Sequence, residues 1–390
     1  MVRHADYLGS LKIERVFLSA VGFYPSPTSK YKYLKNISGS FLFILTVLYI
    51  ILALIHAFIN LTDVAVLSEN VTFLMTVIVY ATKVVNLQVY RKNILLLEDL
   101  LTNPILTELE MQEEENIVKE NLKSARFFTN IYKTMANIAV SVHVVSPLFD
   151  FKRTGYKHFI FLLWLPFDRN KHYGTVYFFE MVLLLSVTWF CITLDALNIL
   201  MMNICAIQFE VLKNRLSRIS KSFSRDDEVD DRIRMQKLRE YIIQQNHVYR
   251  CSSLVQKTYS IGVFTQVVCS VLIVCFGLFK SIVTPLKSMQ FMMLTSYSLT
   301  MIYQVSLYCV YGQKVLDASN DLTDACYMSK WNHCSLGVQK YLVMIMTRGN
   351  RPVIMKAGGI FDLTLETLMT IYTSSYSFFA IIWQVYNTEE

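Results

Sequence analysis

The sequence predicts an all-α membrane protein with seven transmembrane helices, a cytoplasmic N-terminus and an extracellular C-terminus. Of its 390 residues, 54% are hydrophobic and only 17% are charged, whereas a soluble protein usually carries about 25% charged residues. The apolar residues form runs that are long enough to cross a bilayer as helices, which takes about 20 residues. Lysine and arginine lie between these runs and favour one side of the membrane, which sets the orientation.

The spans follow one another with loops of very different length. The first, residues 37–61, is almost entirely Phe, Leu and Ile, and a very short loop joins it to the second, residues 64–90. The second span contains polar residues, and we expect Lys83 and Asn86 near its inner end to extend their head groups to the membrane interface. The remaining spans are predicted at residues 131–149, 176–207, 259–283, 289–312 and 357–386.

The segments between the spans complete the predicted layout. A short membrane-surface helix is expected near residues 8–21, and residues 91–126 read as a polar helix with solvated glutamates at 108, 110 and 113–115. The charged stretch 213–250 has a pattern that suits cytoplasmic extensions of the flanking helices. Residues 336–347 are apolar but too short to span, so they predict a re-entrant or cytoplasmic half-helix.

We therefore divide the chain into three parts. Residues 1–36 form a cytoplasmic N-terminal segment, and residues 37–312 form a six-helix membrane domain with cytoplasmic extensions. Residues 313–390 comprise a cytoplasmic anchor segment and the seventh helix. Asp195 and Asn198, deep in the fourth span, are expected to make interhelical hydrogen bonds, which contribute about 0.6 kcal/mol each in membrane proteins.

The distribution of Lys and Arg determines the orientation. The segments on the N-terminal side of the membrane carry 25 of these residues and those on the opposite side carry 7. The positive-inside rule then places the N-terminus in the cytoplasm. Seven spans in this orientation are the reverse of a G-protein-coupled receptor. The sequons that begin at Asn60 and Asn70 fall on the outer side, close to the membrane.

The last span carries its polar residues on one helical stripe. Consecutive members are separated by steps of three or four, close to the 3.6-residue period of a single face. Two readings of the stripe are open: a hydrogen-bonding seam against a neighbouring helix, or a pore wall that attracts cations and narrows at Ile381 and Val385. The stripe consists of Asp362, Glu366, Thr370, Thr373, Ser377, Ile381 and Gln384.

The C-terminal third resembles the insect odorant receptor family. The likeness covers roughly residues 305–385, and the seven-span plan extends it to the whole chain. The related gustatory receptors end in a Thr-Tyr and Gln-Phe pattern that residues 377–385 match only loosely, which favours the odorant branch. The residues that carry the resemblance are Cys309-Val310-Tyr311-Gly312, Ser319, Leu322, Ala325-Cys326-Tyr327, Trp331, Arg348, Pro352, Ala357-Gly358, Phe361 and Tyr372 to Phe379.

The resemblance implies a ligand-gated, non-selective cation channel. Members of the family form tetramers in which the last helix of each subunit lines a central pore, and ligand-tuned subunits assemble with an olfactory co-receptor. This chain lacks the long second cytoplasmic loop of the co-receptor, so it is similar to the tuned subunits. The family's gate falls at Ile381 and Val385, with Gln384 beside them. If the polar stripe is the pore wall, Ser377, Thr373, Glu366 and Asp362 also lie along the pore.

The resemblance also implies a pocket for a small volatile odorant among spans two to six, in the outer half of the membrane. A volatile ligand needs an apolar pocket with few polar groups. For a single aromatic residue, ordinary helix packing competes with ligand contact, and His143 could equally be a neutral, hydrogen-bonded core histidine. The candidates are Phe73, Val77, Val140, His143, Val144, Pro147, Met181, Trp189, Tyr297 and Met301.

Other classes of function are disfavoured. The spans contain no nucleophile–base–acid set, phosphate-binding loop or metal-ligand spacing, so we expect neither an enzyme nor a cofactor or metal. The net charge of +7 lies in loops between membrane spans, which argues against nucleic acid. The alternatives are a G-protein-coupled chemoreceptor or a gustatory-type channel; a secondary transporter lacks support from internal repeats. The expected location is the plasma membrane, in contact with lipid.

Overall fold

A bundle of long helices makes up most of this chain in a computed structural model. The structure describes residues 3–24, 32–60, 64–161, 163–221, 228–285, 288–329 and 331–389. The long helices are α3 (Lys32–Ile59), α4 (Val64–Val89), α7 (Gln112–Thr154), α8 (Tyr173–Lys221), α9 (Glu228–Val283), α10 (Met289–Tyr327) and α12 (Leu365–Glu389). The short helices are α1 (Tyr7–Ser10), α2 (Lys12–Val21), α5 (Arg91–Thr102), α6 (Pro104–Thr107) and α11 (Leu336–Gly349), with a 3-10 turn at Trp331–His333.

The all-α prediction is confirmed, and each of the seven predicted spans coincides over most of its length with one of the long helices. Within the described residues, four of these helices are long and apolar enough on their own to cross a membrane: α3, α4, α8 and α9. The predicted half-helix is α11, and the predicted surface helix corresponds to α2, which begins at Lys12.

The side of α3 that faces away from the bundle is apolar. Ile44 is 63% exposed, Ile51 50% and Phe58 77%, at steps of seven residues along one face. Large apolar side chains repeated on one exposed face suit contact with hydrocarbon rather than water. On the opposite face, Tyr49 and Ala53 are buried against the rest of the bundle.

Several helices extend far beyond their apolar runs, as expected for 213–250. The extensions pack against one another through charged groups rather than lying free in water. Glu114 was predicted to be solvated, but it is 0% exposed and accepts hydrogen bonds from Arg215 (3.0 Å) and Arg218. A buried carboxylate is stable only with such partners, so pairing overrides the solvation that its charge alone predicts.

Two short antiparallel strand pairs lie within the described residues, and the second of them is a hairpin. Strand β1 (Arg3–His4) pairs antiparallel with β2 (Glu108–Leu109), which fixes the N-terminal segment to the start of α7. Strand β3 (Lys356–Ala357) pairs with β4 (Phe361–Asp362) immediately before the last helix.

The hairpin of β3 and β4 shows that the last span begins later than predicted. Gly358 and Gly359 have φ values of +63° and +75°, which reverse the chain between β3 and β4. Helix α12 therefore begins at Leu365 rather than Ala357. Asp362 lies on β4, before the helix, where its carboxylate is 3.1 Å from the Lys356 ammonium.

The sequon at Asn70 is packed into the bundle. Asn70 is 2% exposed, and its amide donates to the Ala53 carbonyl at 3.0 Å. This side chain is therefore inaccessible to glycosylation in the folded protein. The sequon at Asn60 includes residues outside those that the structure describes.

Candidate functional site

A cavity of about 60 Å³ lies inside the bundle, between α4, α7, α8, α9 and α10. It is mostly apolar and contains a few polar groups, the composition typical of small-molecule sites. Its volume leaves little free space, so a ligand of several carbon atoms must displace side chains as it binds. The lining residues are Phe73, Thr76, Val79, Tyr132, Ala136, Ala139, Val140, His143, Leu184, Thr188, Cys191, Ile192, Gln266, Ile273, Tyr297, Thr300, Met301 and Gln304.

One wall of the cavity is aromatic. The His143 ring lies edge-on to Phe73 (centroids 5.6 Å apart) and to Tyr297 (5.5 Å). His143 Nδ1 is 2.8 Å from the Ala139 carbonyl one turn earlier, and the Tyr297 hydroxyl pairs with Thr76. These contacts fix the ring orientations before any ligand is bound. The histidine is thus both a hydrogen-bonded core residue and part of the cavity wall.

The opposite end of the cavity is polar and centres on Asp195. Its Oδ1 accepts hydrogen bonds from Lys83 Nζ (2.5 Å) and the Tyr308 hydroxyl (2.6 Å). Its Oδ2 accepts from the Tyr132 hydroxyl (3.0 Å) and from Gln304 Nε2. We call Asp195 with these four donors the Asp195 cluster; it joins α4, α7, α8 and α10. Asp195 is 1% exposed, so the predicted interhelical bonding of this residue is confirmed.

The cluster overturns the prediction for Lys83 and Asn86. Lys83 is 3% exposed and points into the bundle, where it also donates to Gln266 Oε1 at 2.7 Å. Asn86 is 8% exposed and donates to the Thr258 carbonyl. The sequence of α4 alone does not show that these side chains have partners inside the bundle. A charged group that is paired inside the bundle does not need to reach the membrane interface.

Five of the ten predicted ligand residues line the cavity: Phe73, Val140, His143, Tyr297 and Met301. The other five do not. Trp189 is 43% exposed and donates from Nε1 to Asn137 at 3.1 Å, whereas Val77 is buried elsewhere in the core. Val144, Pro147 and Met181 are likewise not part of the lining.

The residues missed by the sequence prediction follow a simple helical rule. On α7 the lining positions are Tyr132, Ala136, Ala139, Val140 and His143. Apart from the adjacent pair Ala139 and Val140, consecutive positions are three or four residues apart, so they share one face. Extending that face from His143 would have found Tyr132. Gln266 and Gln304 required knowledge of which faces of α9 and α10 turn inward.

A segment between α7 and α8 packs over the aromatic wall. Phe161 contacts Phe73 edge-on at 5.1 Å between centroids. Glu180 holds this segment: its carboxylate accepts from the Ile160 backbone N–H (2.9 Å) and from Arg169 (2.9 Å). Burial lowers the pKa of the Arg169 guanidinium, and Glu180 acts in the opposite direction.

A second cavity of about 250 Å³ lies between α9, α10 and α12. Its lining is almost wholly apolar and includes Val274, Ile302 and Ile371. Met301 lines both cavities, so one flexible side chain borders both the first cavity and the space beside the last helix.

The two faces of α12 differ in their surroundings. Leu368 and Ser375 are buried, and the Tyr372 hydroxyl lies 2.5 Å from Ser306 Oγ on α10. The predicted stripe faces the other way. Every member that lies on the helix and whose side chain the structure describes is exposed: Glu366, Thr370, Thr373, Ser377 and Gln384.

The hydroxyls of the stripe donate to carbonyls of their own helix. Thr370 donates to Glu366 at 3.1 Å, Thr373 to Met369 at 2.9 Å, and Ser377 to Thr373 at 2.9 Å. No seam between these hydroxyls and another helix exists among the described residues. The side chains of Ile381 and Val385, the predicted gate, lie outside those that the structure describes.

Within the described part of the chain, His, Cys, Asp and Glu form no group of three or more that could hold a metal ion. The described cysteines are all free thiols.

Comparisons with known proteins agree on one family. The family model described as 7tm Odorant receptor matches residues 63–376. Odorant receptor 46a, isoform B, of Drosophila melanogaster is 25% identical over 355 residues, 89% of this chain and 91% of that protein. Odorant receptor 94a of the same organism is 26% identical over 287 residues, 72% of this chain and 71% of that protein.

A solved structure has the same fold. The insect olfactory receptor OR5 from Machilis hrabei, in complex with eugenol, superimposes with a TM-score of 0.86 at 17% sequence identity. The alignment covers 98% of this chain and 100% of that one.

Proposed function

This chain belongs to the insect odorant receptor family, and on that premise we propose that it is the ligand-tuned subunit of an odorant-gated, non-selective cation channel. It is an odorant-sensing, multi-pass membrane receptor. In our proposal it forms a tetramer with olfactory co-receptor subunits in the plasma membrane of a sensory neuron. The last helix of each subunit then lines a shared central pore.

The exposed polar face of α12 carries this proposal. Glu366, Thr370, Thr373 and Ser377 turn away from the helices of their own chain. A charged and hydroxylated stripe in a spanning helix does not face hydrocarbon, because each charge costs several kcal/mol there. A water-filled path shared with other subunits satisfies the stripe. Asp362, 40% exposed and beside Lys356, would stand at the mouth of that path.

The first cavity is the proposed odorant site. Its aromatic wall and small volume suit a small volatile molecule with one or two polar atoms. The olfactory receptor OR5 from Machilis hrabei was solved with eugenol. We extend from that protein only the class of ligand, a small volatile organic compound.

Met301 provides the proposed route from ligand to pore. A ligand that fills the first cavity must move the lining, and Met301 is the part of the lining that also borders the second cavity. Its displacement changes the packing around Ile371 and Tyr372 on α12. Such a ligand opens the channel only if it binds the open arrangement more tightly than the closed one. We propose that Ile381, Gln384 and Val385 form the gate that responds.

Electrical recording with G-protein signalling blocked tests the proposal. The chain is co-expressed with the co-receptor, and odour-evoked currents are measured before and after the block. Currents that persist support an ionotropic receptor, and currents that disappear support a G-protein-coupled chemoreceptor instead. Epitope tags at both ends give an independent answer, because our proposal requires a cytoplasmic N-terminus and an extracellular C-terminus.

A further inference from the structure

Gln304, in the wall of the first cavity, has an unpaired hydrogen-bond acceptor. This side chain lines the cavity and is 2% exposed. Its Nε2 donates to Asp195 Oδ2, whereas its Oε1 has no hydrogen-bond partner among the residues that the structure describes. An unpaired buried carbonyl is costly, so a ligand that supplies its missing donor gains affinity.

The orientation of the Gln304 amide follows from chemistry. A carboxylate only accepts hydrogen bonds, and Lys83 pairs with Asp195 at 2.5 Å. The amide nitrogen must therefore face Asp195, because the reverse orientation would place two acceptor oxygens against each other. The acceptor is then the free group of Gln304.

The neighbouring polar protons are already committed. The Tyr132 and Tyr308 hydroxyls and the Lys83 ammonium all donate to Asp195. Gln266 accepts from Lys83 and donates to Ser270 Oγ at 3.0 Å. The donors of the Asp195 cluster are thus all used within the cluster, and the Gln304 Oε1 acceptor is left unpaired at this end of the cavity.

We infer that the preferred ligands of this receptor carry a hydrogen-bond donor, as small alcohols and phenols do, and that Gln304 determines this preference. The inference rests on the proposed function in placing the ligand in this cavity. A site with a buried unpaired acceptor discriminates against an isostere that lacks the donor. A methyl ether keeps the oxygen of its parent alcohol but loses the donor and gains one methyl group. Of these two differences, only the loss of the donor acts through Gln304.

Binding to the purified full-length chain tests the inference without relying on channel currents. Thermal unfolding is followed while the protein is titrated with 1-hexanol, benzyl alcohol, 2-phenylethanol, phenol and the methyl ether of each. We expect half-saturating concentrations about tenfold lower for the donor in each pair that binds, since one net hydrogen bond contributes about that factor. Ethers that bind as well as their parent compounds, or the failure of all eight probes to bind, would overturn the inference.

The Gln304→Met variant assigns the preference to one residue. We expect the ratio between ether and alcohol to fall toward one in this variant. Gln245→Met is the matched control, because Gln245 is 1% exposed but donates to the Ile345 carbonyl, away from the cavity. An unchanged ratio in Gln304→Met overturns the role of Gln304. If Gln304→Met does not fold, Gln304→Leu carries the same test, because it also removes the acceptor.

These outcomes separate the inference from the proposed function. Alcohol-selective binding without odour-evoked current contradicts the channel proposal and leaves the ligand class supported. Currents that are evoked best by ethers or hydrocarbons contradict the ligand class and leave the channel proposal intact.

Discussion

Lys83 and Asp195 form an ion pair in the interior of the helical bundle, with Nζ 2.5 Å from Oδ1 and the two side chains 3% and 1% exposed. The pair links α4 to α8 and borders the candidate ligand cavity through Gln304 and Tyr132. Because both charges are removed from water, each depends on the other and on the surrounding donors.

Removing one member of this pair should destabilise the protein strongly. Lys83→Met leaves the Asp195 carboxylate without its counter-ion, and we expect a loss of about 3–5 kcal/mol in the free energy of unfolding. Thermal unfolding of the purified chain measures this loss. The double variant Lys83→Met with Asp195→Leu should recover part of it, because no buried charge remains unpaired. A double variant whose loss relative to the wild-type protein equals the sum of the two single losses contradicts this account.

Met301→Ala should separate ligand binding from channel opening. The truncation removes the side chain shared by the two cavities, so the ligand can bind without displacing the lining of α12. We expect the concentration for half-maximal current to rise about tenfold relative to that for half-maximal binding. Met292→Ala is the control, since Met292 is on the same helix but 55% exposed. Equal shifts in binding and activation would argue against the route through Met301.

Truncation of the proposed gate should produce leak. In Ile381→Ala with Val385→Ala, the closed state loses apolar contacts, and we expect the ligand-independent open probability to rise about tenfold. Whole-cell current in the absence of odorant measures the effect. Met369→Ala, a 65% exposed apolar position nearer the start of α12, serves as the comparison. Unaltered leak and unaltered gating in the double variant would remove these residues from the gate.

Glu180→Ala should release the segment between α7 and α8. Arg169 and the Ile160 N–H lose their common acceptor, so this segment should open more often. We expect amide hydrogen exchange in residues 155–172 to accelerate about tenfold, the effect of about one lost hydrogen bond. In Asp168→Ala, which removes only a local bond to the Asn170 N–H, exchange at Ile160 should not change. Equal acceleration in both variants would exclude Glu180 as the fastening residue.

The helices could be predicted from the sequence because apolar runs of membrane length leave the chain few alternatives. The ends of the helices were harder to predict. The apolar run of the sixth span ends at Gly312, yet helix α10 continues to Tyr327. A Cβ at Gly312 would lie 2.3 Å from the Leu363 carbonyl oxygen, so the glycine serves a close approach between α10 and the segment before α12. Such a contact joins residues that are far apart in sequence.

The site could be predicted only in part for the same reason. Hydropathy identifies spans, but it does not give the rotation of one helix against its neighbours. Trp189 and Cys191 are two residues apart on α8, and only Cys191 lines the cavity. The partner of Lys83 is 112 residues further along the chain, and nothing in the local pattern of α4 predicts it.

The hairpin before α12 also has a mechanical consequence. Its β3 strand is attached to α9 at several points: Lys356 exchanges two hydrogen bonds of 2.7 Å with Gln256, and the Gly358 N–H donates to the Ser260 carbonyl at 3.0 Å. The start of α12 is thereby fixed. Its 25 residues form a rod about 37 Å long at about 1.5 Å per residue. A tilt of about 5° at the fixed end displaces the other end by about 3 Å, so this rod works as a lever whose longest travel is at its C-terminal end.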